Sequence, residues 1–215
     1  MPDIAARLRA VLPSDVQLGA PAPPLALWPG EDLPGAIPAR LAEFVAGRSA
    51  ARQALRGLGL TAGAIPMGAD RAPLWPQAAT GSISHCAGAC LAVAGLRGAY
   101  RGLGLDLEPL LPLPRDLWSS VLRPEEQQAI DALPPIQQGL QALRIFVAKE
   151  AAYKAQYPIT QQIFDFQTLR IIWTDQDFIA EFCVAVPPIE KHFHISGCSA
   201  ETRHFFAAFC AVPIG

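Results

Sequence analysis

Two acidic residues close an apolar segment near the middle of the chain. Asp106 and Glu108 end the segment that runs from Leu103 to Glu108. Residues i and i+2 of a strand face the same side, so the two carboxylates are predicted to project together. Mg²⁺ prefers oxygen ligands and usually combines one or two carboxylates with substrate phosphates and water. The pair suits a magnesium site, although a solvated strand end is the more common explanation of such a pattern by itself.

A third acid lies about forty residues further on, in a segment with helical spacing. Glu150 and Lys154 are four residues apart, so they share one face of the predicted helix. In a functional interpretation, Glu150 is a third metal ligand or a base, and Lys154 contacts phosphate. In the structural alternative, they form a surface ion pair that contributes about 0.3–0.5 kcal/mol.

Three arginines are candidates for phosphate binding. Arg48 and Arg52 lie four residues apart on one predicted helix face, flanked by small residues that would let a ligand approach. Arg71 lies in a proline-rich loop beside Trp75, where charge and stacking together would suit a nucleotide. Arginine binds phosphates through charged, often bidentate hydrogen bonds. A solvated helix face and a structural turn are the corresponding alternatives.

The segment Gly81 to His85 ends in small polar residues and a histidine. We interpret Ser84 and His85 as phosphate contacts. A serine hydrolase that uses Ser84 or Ser82 is the competing interpretation. It is disfavoured because neighbours in a strand point to opposite faces, and because the second glycine of a nucleophile elbow is missing.

Two further groups resemble fragments of a metal site. Cys86 and Cys90 are four residues apart, and His192 and His194 share one predicted strand face near Cys198. Neither group has the ligand count that a structural zinc site requires, so we interpret the cysteines as reduced thiols and the histidines as surface residues.

The composition is that of an ordinary globular protein. Of 215 residues, 51% are hydrophobic and 17% are charged, which argues against disorder. The 17 basic and 19 acidic residues are nearly balanced, which argues against a general nucleic-acid binder. Apolar runs are too short to span a bilayer, and the N-terminus does not resemble a signal peptide, so we expect a cytoplasmic protein.

The periodicity predicts an α+β fold. Helices are predicted at Ile4 to Leu12, Ala39 to Leu58, Arg115 to Leu122, Pro124 to Leu133 and Pro135 to about Tyr157. Strands are predicted at Val16 to Leu18, Gly81 to His85, Cys90 to Arg97, Leu103 to Glu108, Phe166 to Trp173, Phe178 to Val186, His192 to Cys198 and His204 to Val212. The proline-rich segment Pro109 to Pro114 predicts a boundary between two halves, residues 1–108 and 109–215.

Taken together and in this order, these segments resemble the phosphopantetheinyl transferase superfamily. The likeness is to its larger, pseudo-dimeric type, the group of siderophore- and surfactin-pathway enzymes. The resemblance rests on five blocks between Gly47 and Lys154, about half the chain: Gly47 to Arg52, Pro66 to Pro76, Gly81 to Cys86, Gly104 to Glu108, and Phe146 to Ala151 with Lys154. It implies two similar α/β subdomains packed as a pseudo-dimer.

The resemblance also implies a reaction and a set of site residues. A carrier-protein serine would attack the β-phosphate of coenzyme A, giving holo carrier protein and adenosine 3′,5′-bisphosphate. Mg²⁺ would be held by Asp106, Glu108 and Glu150, and catalysis would involve Asp106, Glu150 and Lys154. Coenzyme A would be bound by Arg48, Arg52, Arg71, Ser84, His85 and Lys154.

The expected partners are coenzyme A and an apo acyl or peptidyl carrier protein, with no nucleic acid and no membrane. Two subdomains within one chain make a monomer sufficient. The alternative function is a non-catalytic coenzyme A-binding or carrier-docking module. The sequence does not show which carrier protein is modified. It also leaves open whether Glu150 acts as the base as well as a metal ligand, and whether Glu125 or Glu126 contributes to the site.

Overall fold

The computed structural model describes residues 2–174 and 177–215. Its helices are α1 (Pro2–Val11), α2 (Pro38–Gly57), α3 (Trp118–Val121), α4 (Pro124–Asp131) and α5 (Pro135–Thr160). Its strands are β1 (Gln17–Gly19), β2 (Ala79–Cys86), β3 (Ala89–Leu96), β4 (Tyr100–Pro109), β5 (Leu169–Thr174), β6 (Asp177–Phe182), β7 (His194–Glu201) and β8 (Phe205–Pro213). The predicted α+β class is confirmed.

Proline marks the start of α2 and α5, and a residue with left-handed backbone angles caps the end of α5. Helices α2 and α5 each have a proline in the first turn, where the missing N–H costs nothing. Helix α5 continues three residues beyond the predicted end because Pro158 removes only one hydrogen bond near the terminus. It ends at Gln161, whose φ of 54° is left-handed and whose N–H bonds to Tyr157 O.

Two predicted elements are shorter than expected. The predicted helix from Arg115 begins as a 3₁₀ turn, Arg115–Leu117, and only four residues of α-helix follow. The predicted strand from Phe166 likewise opens with a 3₁₀ turn, Phe166–Thr168, in which the Asp165 side chain accepts a hydrogen bond from the Gln167 N–H. The side-chain cap makes a turn where hydrophobicity alone suggested extended chain.

The described strands form two antiparallel sheets, with orders β1-β3-β2 and β4-β8-β7-β6-β5. Helix α2 covers the smaller sheet over a core that includes Leu55, Ile65 and Ala92. Helix α5 packs on the larger sheet over a core that includes Val147 and Phe182. Helix α1 packs its Ile4 and Leu8 into a third hydrophobic core, which also contains Leu103 of β4 and Phe209 of β8.

Strand β4 connects the two halves of the chain. It pairs with β8 along most of its length, so the last strand of the first predicted half belongs to the sheet of the second half. It also lies against β2 of the smaller sheet. The division into residues 1–108 and 109–215 stays a prediction. No helix among the described residues is long and apolar enough to cross a membrane.

Candidate active site

Asp106 lies on β4 and has an exposed fraction of only 4%. Its Oδ1 accepts hydrogen bonds from Lys154 Nζ over 2.6 Å and from Ser84 Oγ over 3.0 Å. Its Oδ2 is buried and has no hydrogen-bond partner within residues 2–174 and 177–215. An unpartnered buried carboxylate oxygen is costly in free energy, and such atoms are rare. This oxygen is therefore available to a ligand.

Lys154 reaches Asp106 because α5 lies unusually close to β4. Gly102 and Gly104 on β4 have no side chains, and the carbonyl oxygens of Ala155 and Ala151 on α5 fill that space. Lys154 Nζ also donates to Leu105 O over 3.2 Å, and its side chain is 29% exposed. Lys154 is thus held against β4 by two hydrogen bonds, while part of its side chain stays exposed to solvent.

Glu108 and Glu150 lie close enough to this pair for their charges to interact. Burial and the charge of Asp106 raise the pKa of Glu108 to about 7, an effect that Lys154 opposes and Glu150 reinforces. Burial likewise raises the pKa of Glu150, with Lys154 opposing and Asp106 reinforcing. Negative charge here exceeds the positive charge that the protein supplies. This excess favours the binding of a cation.

Ser84 fastens β2 to β4. Its Oγ donates to Asp106 and accepts a hydrogen bond from Leu107 N–H over 3.1 Å, and the residue is 4% exposed. The hydroxyl is thus bonded to β4, and the predicted contact between Ser84 and coenzyme A stays a prediction. Among the described residues no histidine bonds to this buried hydroxyl, so the geometry does not suit a hydrolase nucleophile.

His85 interacts with the first turn of α2. Arg40 lies 2.7 Å from His85 Nε2, and Nδ1 is 3.8 Å from Glu43. Burial lowers the pKa of His85, while Glu43 opposes this and Arg40 and Lys154 add to it. A neutral imidazole that accepts from Arg40 is the consistent state. The sequence analysis did not identify Arg40 as a candidate site residue, because it lies outside the pair formed by Arg48 and Arg52.

Arg48 and Arg52 have different environments although they share a helix face. Arg48 donates Nε to Ile65 O over 2.7 Å and stacks on Phe44. Its other two guanidinium nitrogens have no protein acceptor in the described part of the chain. Burial lowers the pKa of Arg48 to about 10, so it stays charged at neutral pH. Arg48 is therefore anchored with two donors left for an anion.

Arg52 is used by the fold. It is 3% exposed, pairs with Glu31 over 2.6 Å, donates to Ala26 O and lies over the Trp28 ring. These contacts pair the charge of Arg52 within the protein, whereas Arg48, itself only 6% exposed, has no ion-pair partner among the described residues. The structure shows Arg52 paired within the protein, and its predicted contact with coenzyme A stays a prediction.

Arg71 lies in a tight turn at the mouth of a cavity. The turn is closed by Arg71 N–H donating to Gly68 O and by Ala72 N–H donating to Asp70 Oδ1. Arg71 has a left-handed φ of 69° and is exposed. A cavity of about 300 Å³ lies beside it, lined among others by Arg71, Trp75, Lys154 and Tyr157. The structure thus brings the predicted loop, β2 and α5 together around one space.

One of the two other candidate metal groups borders the acidic residues, since the charges of Glu108 and Asp106 act on Cys86. Cys86 and Cys90 lie on β2 and β3, and burial raises the pKa of each thiol to about 12. His192 Nδ1 pairs with Glu181 over 2.7 Å, and His194 is exposed at the start of β7. Across the described residues, no three His, Cys, Asp or Glu side chains are arranged to hold a metal ion by themselves.

Comparisons with known proteins identify the family of this chain. The sequence model of the 4′-phosphopantetheinyl transferase N-terminal domain matches residues 29–95. That of the 4′-phosphopantetheinyl transferase superfamily matches residues 102–210, half of the chain. This chain belongs to the 4′-phosphopantetheinyl transferase superfamily. The resemblance drawn from the sequence motifs is confirmed.

Individual relatives match over part of their length. The 4′-phosphopantetheinyl transferase Npt of Nocardia iowensis is 35% identical over 66% of this chain and 63% of its own. PptT of Mycobacterium tuberculosis is 36% identical over 60% and 56%. Enterobactin synthase component D of Salmonella typhimurium is 40% identical over 54% and 48%. The chain therefore spans about half to two thirds of the curated relatives it matches.

One solved structure also aligns with the chain. It is a holo-(acyl-carrier-protein) synthase from Bacillus anthracis in complex with CoA (3′,5′-ADP). The alignment covers 54% of this chain and 99% of that one, with 16% identity and a TM-score of 0.38.

The residues of this superfamily member fit a magnesium ion. The fit rests on the unpartnered Oδ2 of Asp106 and on the acids beside it, since burial and then the charge of Asp106 raise the pKa of both Glu108 and Glu150. Mg²⁺ is often held by one or two carboxylates, with water and phosphate oxygens as the remaining ligands. The absence of three converging ligands in the described chain is compatible with such a site.

Sequence reasoning also missed a buried ion pair directly beside Glu150 in the sequence. Lys149 is 0% exposed, and its Nζ donates to Glu126 over 2.6 Å and to two backbone carbonyls. Glu126 in turn accepts from Ile171 N–H and Arg123 N–H. Glu126 therefore has a structural partner and lies apart from the acidic cluster. Glu126 and Lys149 are 23 residues apart and lie on different helices, so no helical or strand periodicity in the sequence indicates that they pair.

Proposed function

We propose that this chain is a Mg²⁺-dependent 4′-phosphopantetheinyl transferase. It moves the phosphopantetheine arm of coenzyme A onto a serine of an apo carrier protein and releases adenosine 3′,5′-bisphosphate. The observation that carries the proposal is Asp106: one oxygen is fixed by Lys154 and Ser84, and the other is buried and unpartnered. Superfamily membership and the names of the relatives support the same reaction.

Coenzyme A is bound through its phosphates by positive groups from the loop, α5 and α2. Arg71 and Lys154 line the cavity, Arg48 and Arg40 lie on α2, and the neutral His85 accepts a hydrogen bond from Arg40. Arginine side chains give directed hydrogen bonds to phosphate oxygens, and partial burial strengthens them. The nucleotide occupies the cavity lined by Trp75 and Tyr157, where an aromatic surface is available for stacking.

In the reaction, the serine oxygen attacks the β-phosphorus of coenzyme A. A new P–O bond forms to serine, and the bond between the β-phosphorus and the bridging oxygen breaks. Adenosine 3′,5′-bisphosphate leaves with the bonding electrons. Lys154 stabilises charge that develops on the phosphate oxygens, and a positioned donor of this kind contributes about 10²–10³-fold to the rate.

The serine proton needs an acceptor. Glu150 is our candidate, because burial raises the pKa of its carboxyl and so makes it a stronger base near neutral pH. Asp106, Glu108 and Glu150 would hold Mg²⁺, which when bound supplies charge neutralisation to the pyrophosphate and its leaving group.

The carrier is an acyl or peptidyl carrier protein. The similarity to enterobactin synthase component D favours carriers of siderophore or secondary-metabolite synthesis. We propose a cytoplasmic monomer, since the acidic strand and the catalytic helix come from one chain.

The second candidate is a non-catalytic coenzyme A-binding or carrier-docking module. It is disfavoured because binding alone does not require three acids whose repulsion must be neutralised.

The decisive experiment is intact-mass analysis of apo carrier proteins incubated with this chain and coenzyme A, with Mg²⁺ or with EDTA. We expect a gain of one phosphopantetheine arm with Mg²⁺ and none with EDTA. Binding of coenzyme A without any gain on acyl, peptidyl and siderophore carriers would favour the binding module. Labelling by a fluorophosphonate would instead indicate the hydrolase.

A further inference from the structure

Glu31 lies in the proline-rich loop before α2, outside every motif that the sequence singled out. It is 3% exposed, and both of its carboxylate oxygens are used. Oε1 accepts from Ile65 N–H over 2.8 Å, and Oε2 accepts from Trp28 N–H over 3.0 Å. Arg52 donates to both oxygens. A buried carboxylate with this many donors is a fixed point in the structure.

Ile65 links Glu31 to Arg48. Its N–H is held by Glu31, and its carbonyl oxygen accepts from Arg48 Nε over 2.7 Å. The Ile65 side chain is fully buried, so the residue is anchored on three sides. The two remaining guanidinium nitrogens of Arg48 are therefore aimed by a backbone carbonyl whose own position depends on Glu31.

Ile65 also begins the loop that carries Arg71. Pro66 follows it and has no N–H, so Ile65 supplies the last backbone donor before this proline. Pro66 O then accepts from Leu74 N–H, which closes the loop on itself. A shift of Ile65 would thus move both the start of this loop and the acceptor that orients Arg48.

We infer that Glu31 is a positioning residue for nucleotide binding, acting through the Ile65 peptide on Arg48 and on the loop of residues 66–76. The inference rests on the proposed function, because it assigns these elements to coenzyme A. Glu31 contacts no substrate. It sets the affinity for coenzyme A and leaves the transfer step unchanged.

The competing explanation is that Glu31 merely neutralises the buried Arg52. Removing one partner of such a pair leaves an unpaired buried charge, and Glu31→Gln alone could then unfold the protein. Two double variants avoid this problem. Glu31→Gln with Arg52→Met removes both charges and keeps an amide oxygen that can accept from Ile65 N–H. Glu31→Met with Arg52→Met removes both charges and the acceptor.

The test measures the dissociation constant of coenzyme A by calorimetry and the steady-state constants of transfer to an apo carrier. For the Met/Met double variant, we expect the dissociation constant and KM for coenzyme A to rise about five- to tenfold, with kcat within about twofold. The Gln/Met variant should stay within about twofold of wild type in all three. Circular dichroism and thermal melting verify that both variants are folded.

The outcomes separate the two proposals. Equal affinities for coenzyme A in folded variants and wild type would overturn the role of Glu31 and leave the proposed function intact. Equal losses in both double variants would also overturn it, because the ion pair and not the Ile65 bond would then set affinity. A wild-type protein that neither binds coenzyme A nor modifies a carrier would overturn the proposed function itself.

Discussion

Gly104 on β4 lies directly beneath the carbonyl oxygen of Ala151 on α5. A Cβ atom built on Gly104 would come within 1.8 Å of that oxygen, far inside van der Waals contact. The same strand carries Asp106, and the same helix carries Glu150 and Lys154. The absence of a side chain at Gly104 therefore sets the distance between β4 and α5.

The first prediction concerns this contact. Gly104→Ala forces the helix away from the strand, because the obstructing atoms belong to backbone. We expect a loss of at least about 3 kcal/mol in the free energy of unfolding, and a fall of about 6–12 °C in Tm. Transfer activity should fall further than the folded fraction does, because Lys154 moves from Asp106. Gly98→Ala is the matched control, since a Cβ there meets nothing within 4 Å. A stable and fully active Gly104→Ala protein would contradict the argument.

The second prediction concerns the charge of Asp106. Asp106→Asn keeps an oxygen for Lys154 and Ser84 but removes the negative charge that a cation needs. We expect kcat to fall by about 10²–10³-fold or more, with a Tm change that corresponds to only about 1 kcal/mol. Intact-mass rates and thermal melting measure the two effects. Glu190→Gln, an exposed acid far from the motifs in sequence, serves as the control. Retained activity would remove Asp106 from the metal site.

The third prediction distinguishes a positioning serine from a substrate contact. Ser84→Ala leaves the buried Leu107 N–H without its acceptor and Asp106 without one donor. We expect a loss of about 1–3 kcal/mol in stability, and a lower kcat with KM for coenzyme A unchanged. Ser82→Ala is the control, because Ser82 lies on the same strand and its bond to Leu105 O is long, at 3.5 Å. An increase in KM alone would support the sequence-based assignment of Ser84 to coenzyme A.

The fourth prediction uses the raised pKa of Glu108. The unfolded carboxyl titrates near 4.5 and the folded one near 7. Between these values the folded state binds more protons, so its stability falls as pH rises from about 4.5 to about 7 and then levels off. In EDTA at about pH 8, Glu108→Gln should therefore melt higher than wild type. The gain should be roughly 2–4 °C for about 1 kcal/mol after solvent screening.

At about pH 5 the two melting temperatures should converge, since the wild-type carboxyl is then protonated in the folded state. Adding Mg²⁺ at the higher pH should raise the wild-type Tm and leave the variant nearly unchanged. A pH-independent difference, or a variant that melts lower at high pH, would show that Glu108 is not held in an unfavourable charged state.

The acidic cluster was predictable from the sequence because its members follow local rules. Asp106 and Glu108 share a face through strand alternation, and Glu150 and Lys154 share a face through helical spacing. Elements with clear periodicity, such as α2 and β4, were placed within a few residues. These signals operate over short stretches of chain, where the backbone geometry is regular.

The remaining roles depend on contacts between distant segments. Glu31 lies in an irregular loop 21 residues before Arg52, and nothing in that loop repeats. Ser84 and Asp106 lie in different sheets, so neither alternation nor pairing register reveals their bond. Arg52 looked like a twin of Arg48 because both occupy one helix face. Both arginines are buried, and Arg52 differs because Glu31 and Ala26 in the preceding loop accept its hydrogen bonds, which only the tertiary structure shows.

The last prediction tests Arg48 as a phosphate contact. Arg48→Ala removes two unpaired guanidinium donors, and we expect the KM and dissociation constant of coenzyme A to rise about tenfold or more. The kcat at saturating coenzyme A should stay within about threefold, because Arg48 is assigned to binding and not to the transfer step. Arg56→Ala is the matched control, since Arg56 is exposed in the last turn of the same helix. Losing one phosphate contact should also weaken the salt dependence of binding, whereas a change confined to kcat would contradict this role.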